Sequence, residues 1–256
     1  MFSVSLSIAL PGCPRGSPGH AGTTRISYTA DGSPSDAGYA RKVIAAYWPL
    51  YGLTLRTPRL ELRYPGEPEL GQLAEIAANG VSKLGQRTFL TPWTELPPEK
   101  RGLFVIQNHW GSKADWESRN WVLNLGVFAG EQPVGMVSLR GKEFSILREV
   151  TTGSWLGLDF QGQGYGTEAR AALLHFAFEN LGAVAARTEV FQENAASQGV
   201  SRKLGYQPDG ISRDILDGQV IVSDRLRLTR EHWQRVSHFP VSITGYEHCQ
   251  HFFMEE

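Results

Sequence analysis

The chain is poor in cysteine. It has two cysteines in 256 residues, Cys13 and Cys249, and neither belongs to a CxxC pair. Small secreted domains are usually dense in disulfides, and structural zinc sites use closely paired cysteines. The composition therefore disfavours both classes, and we expect a cytoplasmic protein in a reducing environment.

Two further absences exclude two kinds of partner. The sequence has no excess of positive charge, with Lys+Arg 25 against Asp+Glu 26 and a formal net charge of -1. A polybasic surface of the kind that binds nucleic acid in bulk is therefore not expected. The sequence also lacks any run of about eighteen apolar residues, so we predict no membrane partner.

A metal site is not expected either. His248, Cys249 and His251 supply three potential ligands within four residues, but they stand too close together for the usual zinc spacing and no second pair accompanies them. We therefore predict no metal.

The ends of the chain differ in composition from its middle. Residues 12–40 are rich in Gly, Pro, Ser, Thr and Asp, which offer little apolar surface for packing. No Lys or Arg precedes the apolar stretch at residues 2–10, so a secretion signal is not expected. We predict a partly mobile N-terminal extension at 1–50, one domain at 51–232 and a C-terminal extension at 233–256.

Apolar periodicity predicts a mixed α/β order. Leu60, Leu62 and Tyr64 alternate with polar residues, as in a half-buried strand, and a helix follows and stops at Gly80. Residues 81–120 suggest two short helices broken at Gly111. The later pattern predicts strands at about 121–128 and 133–139, separated by a loop at 129–132, then strands at 149–158 and 184–191 and two within 211–228. It predicts helices at 169–181 and 195–204.

The most informative stretch is GSWLGLDFQGQGYGTE at residues 153–168, an apolar run followed by three alternating glycines and a helical pattern. Such a loop presents main-chain N–H groups and a helix N-terminus to an anion. A P-loop would need Gly-Lys before Ser or Thr, which is absent, and a dinucleotide fingerprint would need Gly or Ala in place of Thr167. A simple strand-to-helix turn is the alternative reading.

The residues around this loop carry a family resemblance. Gln161-Gly162-Gln163-Gly164-Tyr165-Gly166 is similar to the Gln/Arg-x-x-Gly-x-Gly/Ala pattern with which GNAT acyl-CoA N-acyltransferases bind pyrophosphate. The segment ENAASQGVSRKLGYQPDG, with Asn194 and Ser197, resembles the branch of the ribosomal-protein N-terminal acetyltransferases (RimJ/RimL-like). The resemblance is specific over about 148–212 and extends in outline over 56–230.

The resemblance implies a fold and a cofactor. The fold would be a mixed, mostly antiparallel sheet of about seven strands, flanked by helices, in which one pair of strands splays apart to hold acetyl-CoA as co-substrate. Pantetheine would pair with the strand backbone, the diphosphate would lie over the glycine loop, and Arg202 is a candidate for the 3′-phosphate unless it only complements its helix dipole. The implied cofactor-binding residues are Trp155, Leu156, Leu158, Gln161, Gly162, Gln163, Gly164, Tyr165, Gly166, Thr167, Asn194 and Arg202.

The resemblance also suggests catalytic residues. It places Ser197 near the cofactor sulfur, where a hydroxyl can stabilise the leaving thiolate, with Asn194 as the orienting group. An ordinary N-cap is the alternative explanation of Asn194 and Ser197. Related enzymes often carry a base glutamate where this chain has Thr151. Glu149, on the same strand face, is a candidate substitute, or else forms an ion pair with Arg148 or a neighbouring strand.

We therefore expect an N-acetyltransferase that moves acetyl from acetyl-CoA to a primary amine of a small molecule or a protein N-terminus, acting as a monomer or homodimer. A catalytically degenerate relative that only binds acyl-CoA or a partner protein is the alternative. Some of six aromatic residues should border the acceptor channel, unless they form only a local hydrophobic cluster. These residues are Phe89, Trp93, Phe104, Trp110, Trp116 and Trp121.

Overall fold

The computed structural model describes residues 43–83, 87–236 and 239–254. Its strands are β1 (Thr54–Arg56), β2 (Glu61–Arg63), β3 (Asn120–Ala129), β4 (Gln132–Lys142), β5 (Glu149–Leu156), β6 (Ala185–Phe191), β7 (Gln207–Leu216), β8 (Gln219–Thr229) and β9 (Ser242–Thr244). In these segments they form one nine-stranded sheet in the order β7-β8-β6-β5-β4-β3-β2-β1-β9. All neighbouring pairs are antiparallel except β5 and β6.

Helices cover both faces of the sheet. They are α1 (Glu67–Asn79), α2 (Pro98–Ala114), α3 (Phe144–Leu147), α4 (Tyr165–His175, continued by a π-helical turn over Phe176–Asn180), α5 (Ala195–Lys203), α6 (Arg230–Gln234) and α7 (Tyr246–Cys249). Successive residues of β4 show the two layers, because Met136 packs with α1 and α2 while Val137 packs in the main core with α4. No helix in these segments is both long and apolar enough to cross a membrane.

The parallel pair β5 and β6 separates part of the way along its length. The two strands are paired at Glu149, Val150 and Thr151, opposite Ala185, Ala186 and Arg187. Beyond Thr151, β5 stays paired with β4 as far as Leu156, but it leaves β6. The predicted splay is therefore confirmed, and the β6-facing main chain of β5 from about Gly153 onward is open to another partner.

Three expectations need correction. The sheet has nine strands and not about seven, because β1 and β9 are three residues long and show no readable alternation. Helix α2 runs through Gly111 without a break, since one glycine costs a helix only about 1 kcal/mol. The strand predicted to end at Leu158 ends at Leu156, and Leu158 opens a 3-10 turn (Leu158–Phe160).

The segments outside the predicted central domain include parts of the same core. Leu50 and Phe253 are both fully buried in it, and β9 extends the sheet beside β1. Trp121 fixes the C-terminal segment because its indole N–H donates to the carbonyl oxygen of Phe253 over 3.2 Å. The predicted mobile stretch at residues 12–40 lies outside the described residues.

Candidate functional site

The glycine loop joins the end of β5 to the start of α4. Gly162 and Gly164 have φ angles of 75° and 83°, in the left-handed region that favours glycine. Gly164 is the N-cap of α4, and no side chain caps this helix end. The main-chain N–H groups of the first helical turn are therefore available to an anion.

A buried carboxylate anchors this loop to the connection between β1 and β2. Glu168, in the first turn of α4, is fully buried. It accepts hydrogen bonds from the Thr57 hydroxyl at 2.6 Å, the Arg59 main-chain N–H at 3.1 Å and the Arg59 Nε at 2.7 Å. The Arg59 guanidinium also donates to the Gln163 carbonyl oxygen at 3.1 Å and lies over the Tyr165 ring. Arg59 and Glu168 are more than 100 residues apart, so no local pattern signals their pairing.

Glutamine side chains brace the loop further. The Gln161 amide donates to the carbonyl oxygens of Val81 at 2.7 Å and Leu156 at 2.9 Å. The Gln163 amide donates to the Asp159 carbonyl oxygen at 2.9 Å. Leu158 lies beyond the strand, and its N–H already donates to Gly80, so its backbone is not part of the open strand edge. Both glutamine side chains thus hold the loop's shape.

The open end of β5 carries side chains to both faces of the sheet. Trp155 is half-buried and points to the α1–α2 face, where its ring meets Trp93 edge-on at 5.8 Å. Leu156 packs against the main core on the other face. The main chain between Gly153 and Leu156 is the part of β5 that β6 leaves uncovered.

A buried guanidinium lies where β5 and β6 diverge. Arg170 of α4 donates to the Thr152 hydroxyl at 3.1 Å and to the Ser201 hydroxyl at 3.3 Å, and it lies over the Tyr206 ring. Arg170 is only 2% exposed, its Nε has no hydrogen-bond partner, and no carboxylate pairs with it in the described residues. The one sequence signal for it is a lone arginine among the apolar residues of α4.

The predicted residues of α5 lie beside this divergence. The Asn194 side chain accepts a hydrogen bond from the Ser197 N–H at 3.1 Å, so the N-cap explanation holds for Asn194. Ser201 is one helical turn beyond Ser197 on the same face, and it is fully buried against Arg170. This face of α5 is therefore turned toward the splayed strands. Arg202 is exposed in the last turn of the helix.

Glu149 lies at the paired end of β5, away from the open segment. One of its carboxylate oxygens is 3.4 Å from Arg187 on β6, and the other is in contact with Arg227 on β8. The structure therefore shows the ion-pair alternative, with neighbouring strands and not with Arg148 as the partners.

A cavity of about 950 Å³ opens on the α1–α2 face of the sheet. Helix α2 forms its roof, strands β3, β4 and β5 form its floor, and the loop at 89–93 closes one side. On β5 its lining is Gly153, Ser154 and Trp155, which belong to the open segment. The polar and charged side chains in its lining are Thr91, Gln107, Asn108, Ser112, Asp115, Asn120, Asn124, Ser138, Arg140, Lys142 and Ser154.

The six aromatic residues lie in different environments. Phe89, Trp93, Phe104 and Trp121 line the cavity, whereas Trp110 and Trp116 do not. Trp93 is only 5% exposed and stacks on Phe104, with ring centroids 5.2 Å apart. Trp116 stacks on Trp121 in the main core. Trp93 therefore serves both as a core residue and as part of the cavity wall.

Two buried titratable groups near α2 and α7 lie outside the cavity lining. Burial lowers the pKa of His109 to about 3, with the charge of Lys113 acting in the same direction, so this imidazole is neutral near pH 7. Burial raises the pKa of the Cys249 thiol to about 12, and the negative charge of Glu247 acts in the same direction. The described segments contain no group of three His, Cys, Asp or Glu residues placed to hold a metal ion.

Comparison with known proteins places this geometry in a family. Residues 59–207 match the family model described as acetyltransferase (GNAT) domain. The ribosomal alpha-N-protein acetyltransferase RimL, solved in complex with coenzyme A, is 20% identical with a TM-score of 0.55, and the match covers 68% of this chain and 95% of that chain. Mycobacterium smegmatis RimJ, in complex with a CoA-disulfide, is 18% identical with a TM-score of 0.57, covering 71% and 88%. A GNAT acetyltransferase from Bacillus anthracis is 17% identical with a TM-score of 0.54, covering 70% and 99%. At these identities the likeness to the three structures shows a shared fold.

Proposed function

The chain belongs to the acetyltransferase (GNAT) family, and from this premise we propose how its residues divide the work of the reaction. The enzyme transfers acetyl from acetyl-CoA to an amine. The amine nitrogen attacks the thioester carbonyl carbon, the carbon–sulfur bond breaks, and the CoA thiolate leaves and takes up the proton that the acylated nitrogen loses. One observation carries our assignment: residues 153–155 are at once free of β6 and part of the cavity lining, so a thioester held at the splay faces an acceptor held in the cavity.

The cofactor lies along the open strand and the glycine loop. Its diphosphate accepts hydrogen bonds from the first-turn N–H groups of α4, around Gly164, Tyr165, Gly166 and Thr167. The pantetheine amides pair with the β5 main chain at Trp155 and Leu156, which satisfies backbone groups that would otherwise need water. Gln161 and Gln163 shape the loop, and Gly162 lets the chain turn. Exposed Arg202 is the candidate for the 3′-phosphate.

Two groups stabilise the departing thiolate. The Ser197 hydroxyl donates a hydrogen bond to the sulfur, and Asn194 fixes the helix turn that carries it. The second group is the buried guanidinium of Arg170, which donates to Ser201, one helical turn beyond Ser197. It has no carboxylate partner in the described residues, so its positive charge favours negative charge where the strands diverge.

The proton leaves the amine without a strand carboxylate. Thr151 stands where related enzymes carry a glutamate, and Arg140 and Arg187 are its neighbours on the adjoining strands. Nearby cations disfavour a protonated amine, so the acceptor reacts as the free base. The pH midpoint of kcat/KM should then follow the pKa of the acceptor, rising from about 8 for an α-amine to about 10 for a lysine-like amine. A midpoint that stays fixed across acceptors would instead reveal a base on the enzyme.

The acceptor is a primary amine of a small molecule or of a protein N-terminus. The size of the cavity suits either, and RimL, which shares the fold, is described as an alpha-N-protein acetyltransferase. We take residues 51–232 as the catalytic unit, within which the family match lies. A metal-free reaction, a monomeric or homodimeric state and a cytoplasmic location stay predictions.

Thiol release from acetyl-CoA, measured over a panel of amines, tests the proposal together with calorimetric binding of CoA. We expect CoA binding and amine-dependent thiol release. Ser197→Ala should lower kcat about tenfold while changing the KM for acetyl-CoA less than twofold. Ser242→Ala, an exposed serine on β9, is the matched control and should behave like the wild type. CoA binding without thiol release from any amine would contradict the proposal.

A further inference from the structure

Three arginines and one threonine lie in one row across four neighbouring strands. Arg140 on β4 is paired with Thr151 on β5, Thr151 with Arg187 on β6, and Arg187 with Arg227 on β8. Directly paired residues project from the same face of a sheet. The row therefore places three arginine side chains on one face, the face that carries α1, α2 and the cavity.

Only part of this charge is compensated. Glu149 forms ion pairs with Arg187 and Arg227 and so neutralises one end of the row. The side chain of Arg140, about 10 Å away from Arg187 by the usual strand spacing, forms no ion pair or hydrogen bond within the parts of the chain that the structure describes. Arg140 is exposed, and it lines the cavity.

The charged residues of the cavity lining give it a positive balance. Arg140 and Lys142 stand on the β4 floor, and Asp115, at the end of α2, is the one acidic residue in the described lining. A cavity of this sign repels a simple cationic amine and attracts an anionic group. The arginine guanidinium is a planar fork of N–H donors that matches a carboxylate in geometry as well as charge.

We propose that the acceptor amine carries a carboxylate, and that Arg140, with Lys142 beside it, binds this carboxylate while the amine reaches the thioester at residues 153–155. The inference rests on the proposed function and names the substrate class for the same site. The carboxylate belongs either to a free amino acid or to an acidic side chain next to a peptide N-terminus. Both present the same chemistry to Arg140, and the experiment separates them.

Matched acceptors test the inference on the unaltered enzyme. One pair is an amino acid and its amide. The other pair is two short peptides that differ only in the second residue, which is Asp in one and Asn in the other. With acetyl-CoA saturating, and with kcat/KM expressed per concentration of unprotonated amine, we expect the carboxylate form to exceed its neutral partner at least tenfold in one pair. That pair identifies the source of the carboxylate. Equal or better use of the neutral form in both pairs overturns the inference while leaving acetyl transfer intact. No thiol release from any amine would overturn the proposed function, and the inference with it.

Variants of Arg140 test whether this residue causes the preference for a carboxylate. Arg140→Gln should reduce the carboxylate preference to less than threefold by raising the KM for the carboxylate acceptor, with the KM for acetyl-CoA unchanged. Arg140→Lys should keep part of the preference, since it keeps the charge. Arg235→Gln is the matched control, because Arg235 pairs with Glu231 beside α6, away from the cavity lining, and it should keep the wild-type ratio. A wild-type preference in Arg140→Gln overturns the assignment of this residue.

Discussion

The glycine loop at residues 157–168 and the cavity under α2 meet the open segment of β5 from two sides, but they are built differently. The loop is shaped by hydrogen bonds to main-chain atoms, by two glycines with positive φ and by the buried Glu168. The cavity is walled by side chains, with stacked aromatic rings on one side and Arg140 and Lys142 on its floor.

This difference agrees with what we propose each region recognises. A diphosphate is the same in every acyl-CoA, and main-chain N–H groups can bind it whatever the neighbouring side chains are. An acceptor varies between enzymes, so its recognition depends on side chains that substitution can change. Changes in the loop should therefore affect acetyl-CoA, whereas changes in the cavity should affect the amine.

Replacing Gly164 by Val is the change with the largest expected effect. The residue has φ 83°, and an added Cβ would come within 3.2 Å of the Arg59 guanidinium, beside the helix N-terminus that we propose binds the diphosphate. We expect the Kd of CoA, measured by calorimetry, to rise at least a hundredfold, about 2.7 kcal/mol. The KM for the amine should change little.

Gly182→Val is the control for this prediction. Gly182 has φ 69° and no atom close to an added Cβ, so it carries similar backbone strain away from the loop. The thermal stability of the Gly182→Val variant should fall as in Gly164→Val, but this variant should bind CoA as the wild type does. Equal CoA affinities in the two folded variants would show that the loop does not bind the cofactor.

Trp93→Ala should have the next largest effect, on the acceptor. We expect the KM for the amine to rise more than tenfold, about 1.4 kcal/mol, with the KM for acetyl-CoA nearly unchanged. Because Trp93 is packed against Phe89, Phe104 and Trp155, unfolding should also become easier by about 3–5 kcal/mol.

Two other tryptophans make the comparison specific. Trp116→Ala should destabilise the protein without selectivity for the amine, since Trp116 lies in the main core. Trp110→Ala should change neither property much, because Trp110 is 47% exposed and outside the cavity lining. A stable Trp93→Ala variant with normal kinetics toward its acceptor would show that Trp93 neither binds the acceptor nor stabilises the fold.

The smallest effect is expected from the ion pair that joins the cavity loop to the β7–β8 turn. Arg87 is 2.7 Å from Asp217 and 3.4 Å from Glu95, and all three side chains are partly exposed. An exposed ion pair contributes about 0.5 kcal/mol of stabilisation, here to the position of the loop beside the cavity. Arg87→Gln should therefore raise the KM for the amine roughly twofold. The difference from wild type should vanish near about 0.5 M salt. An effect that persists at high salt would mean that Arg87 touches the acceptor directly.

The sequence predicted the structure of the glycine loop better than that of the cavity, for a physical reason. The loop depends on local chemistry, with glycines before a helical pattern, and local chemistry can be read along the chain. The strands β3 to β8 and the turn at Asp217-Gly218, where both residues have positive φ, were predictable in the same way.

Contacts between distant segments could not be read in this manner. The pairing of Arg59 with Glu168 joins residues over 100 positions apart. The row through Arg140, Thr151 and Arg187 depends on strand order and register, which a single sequence does not display. Strands β1 and β9 are too short to show an alternating pattern. The acceptor side is made largely of such contacts.

We infer that the loop at the start of α4 is an anion site for the cofactor. The sharpest test compares the Kd of CoA with that of pantetheine, which has the same thiol arm but neither the phosphates nor the adenosine. We expect CoA to bind at least about a hundredfold more tightly, and added salt to reduce the ratio of the two Kd values. Equal affinities for the two compounds would show that the loop is not an anion site.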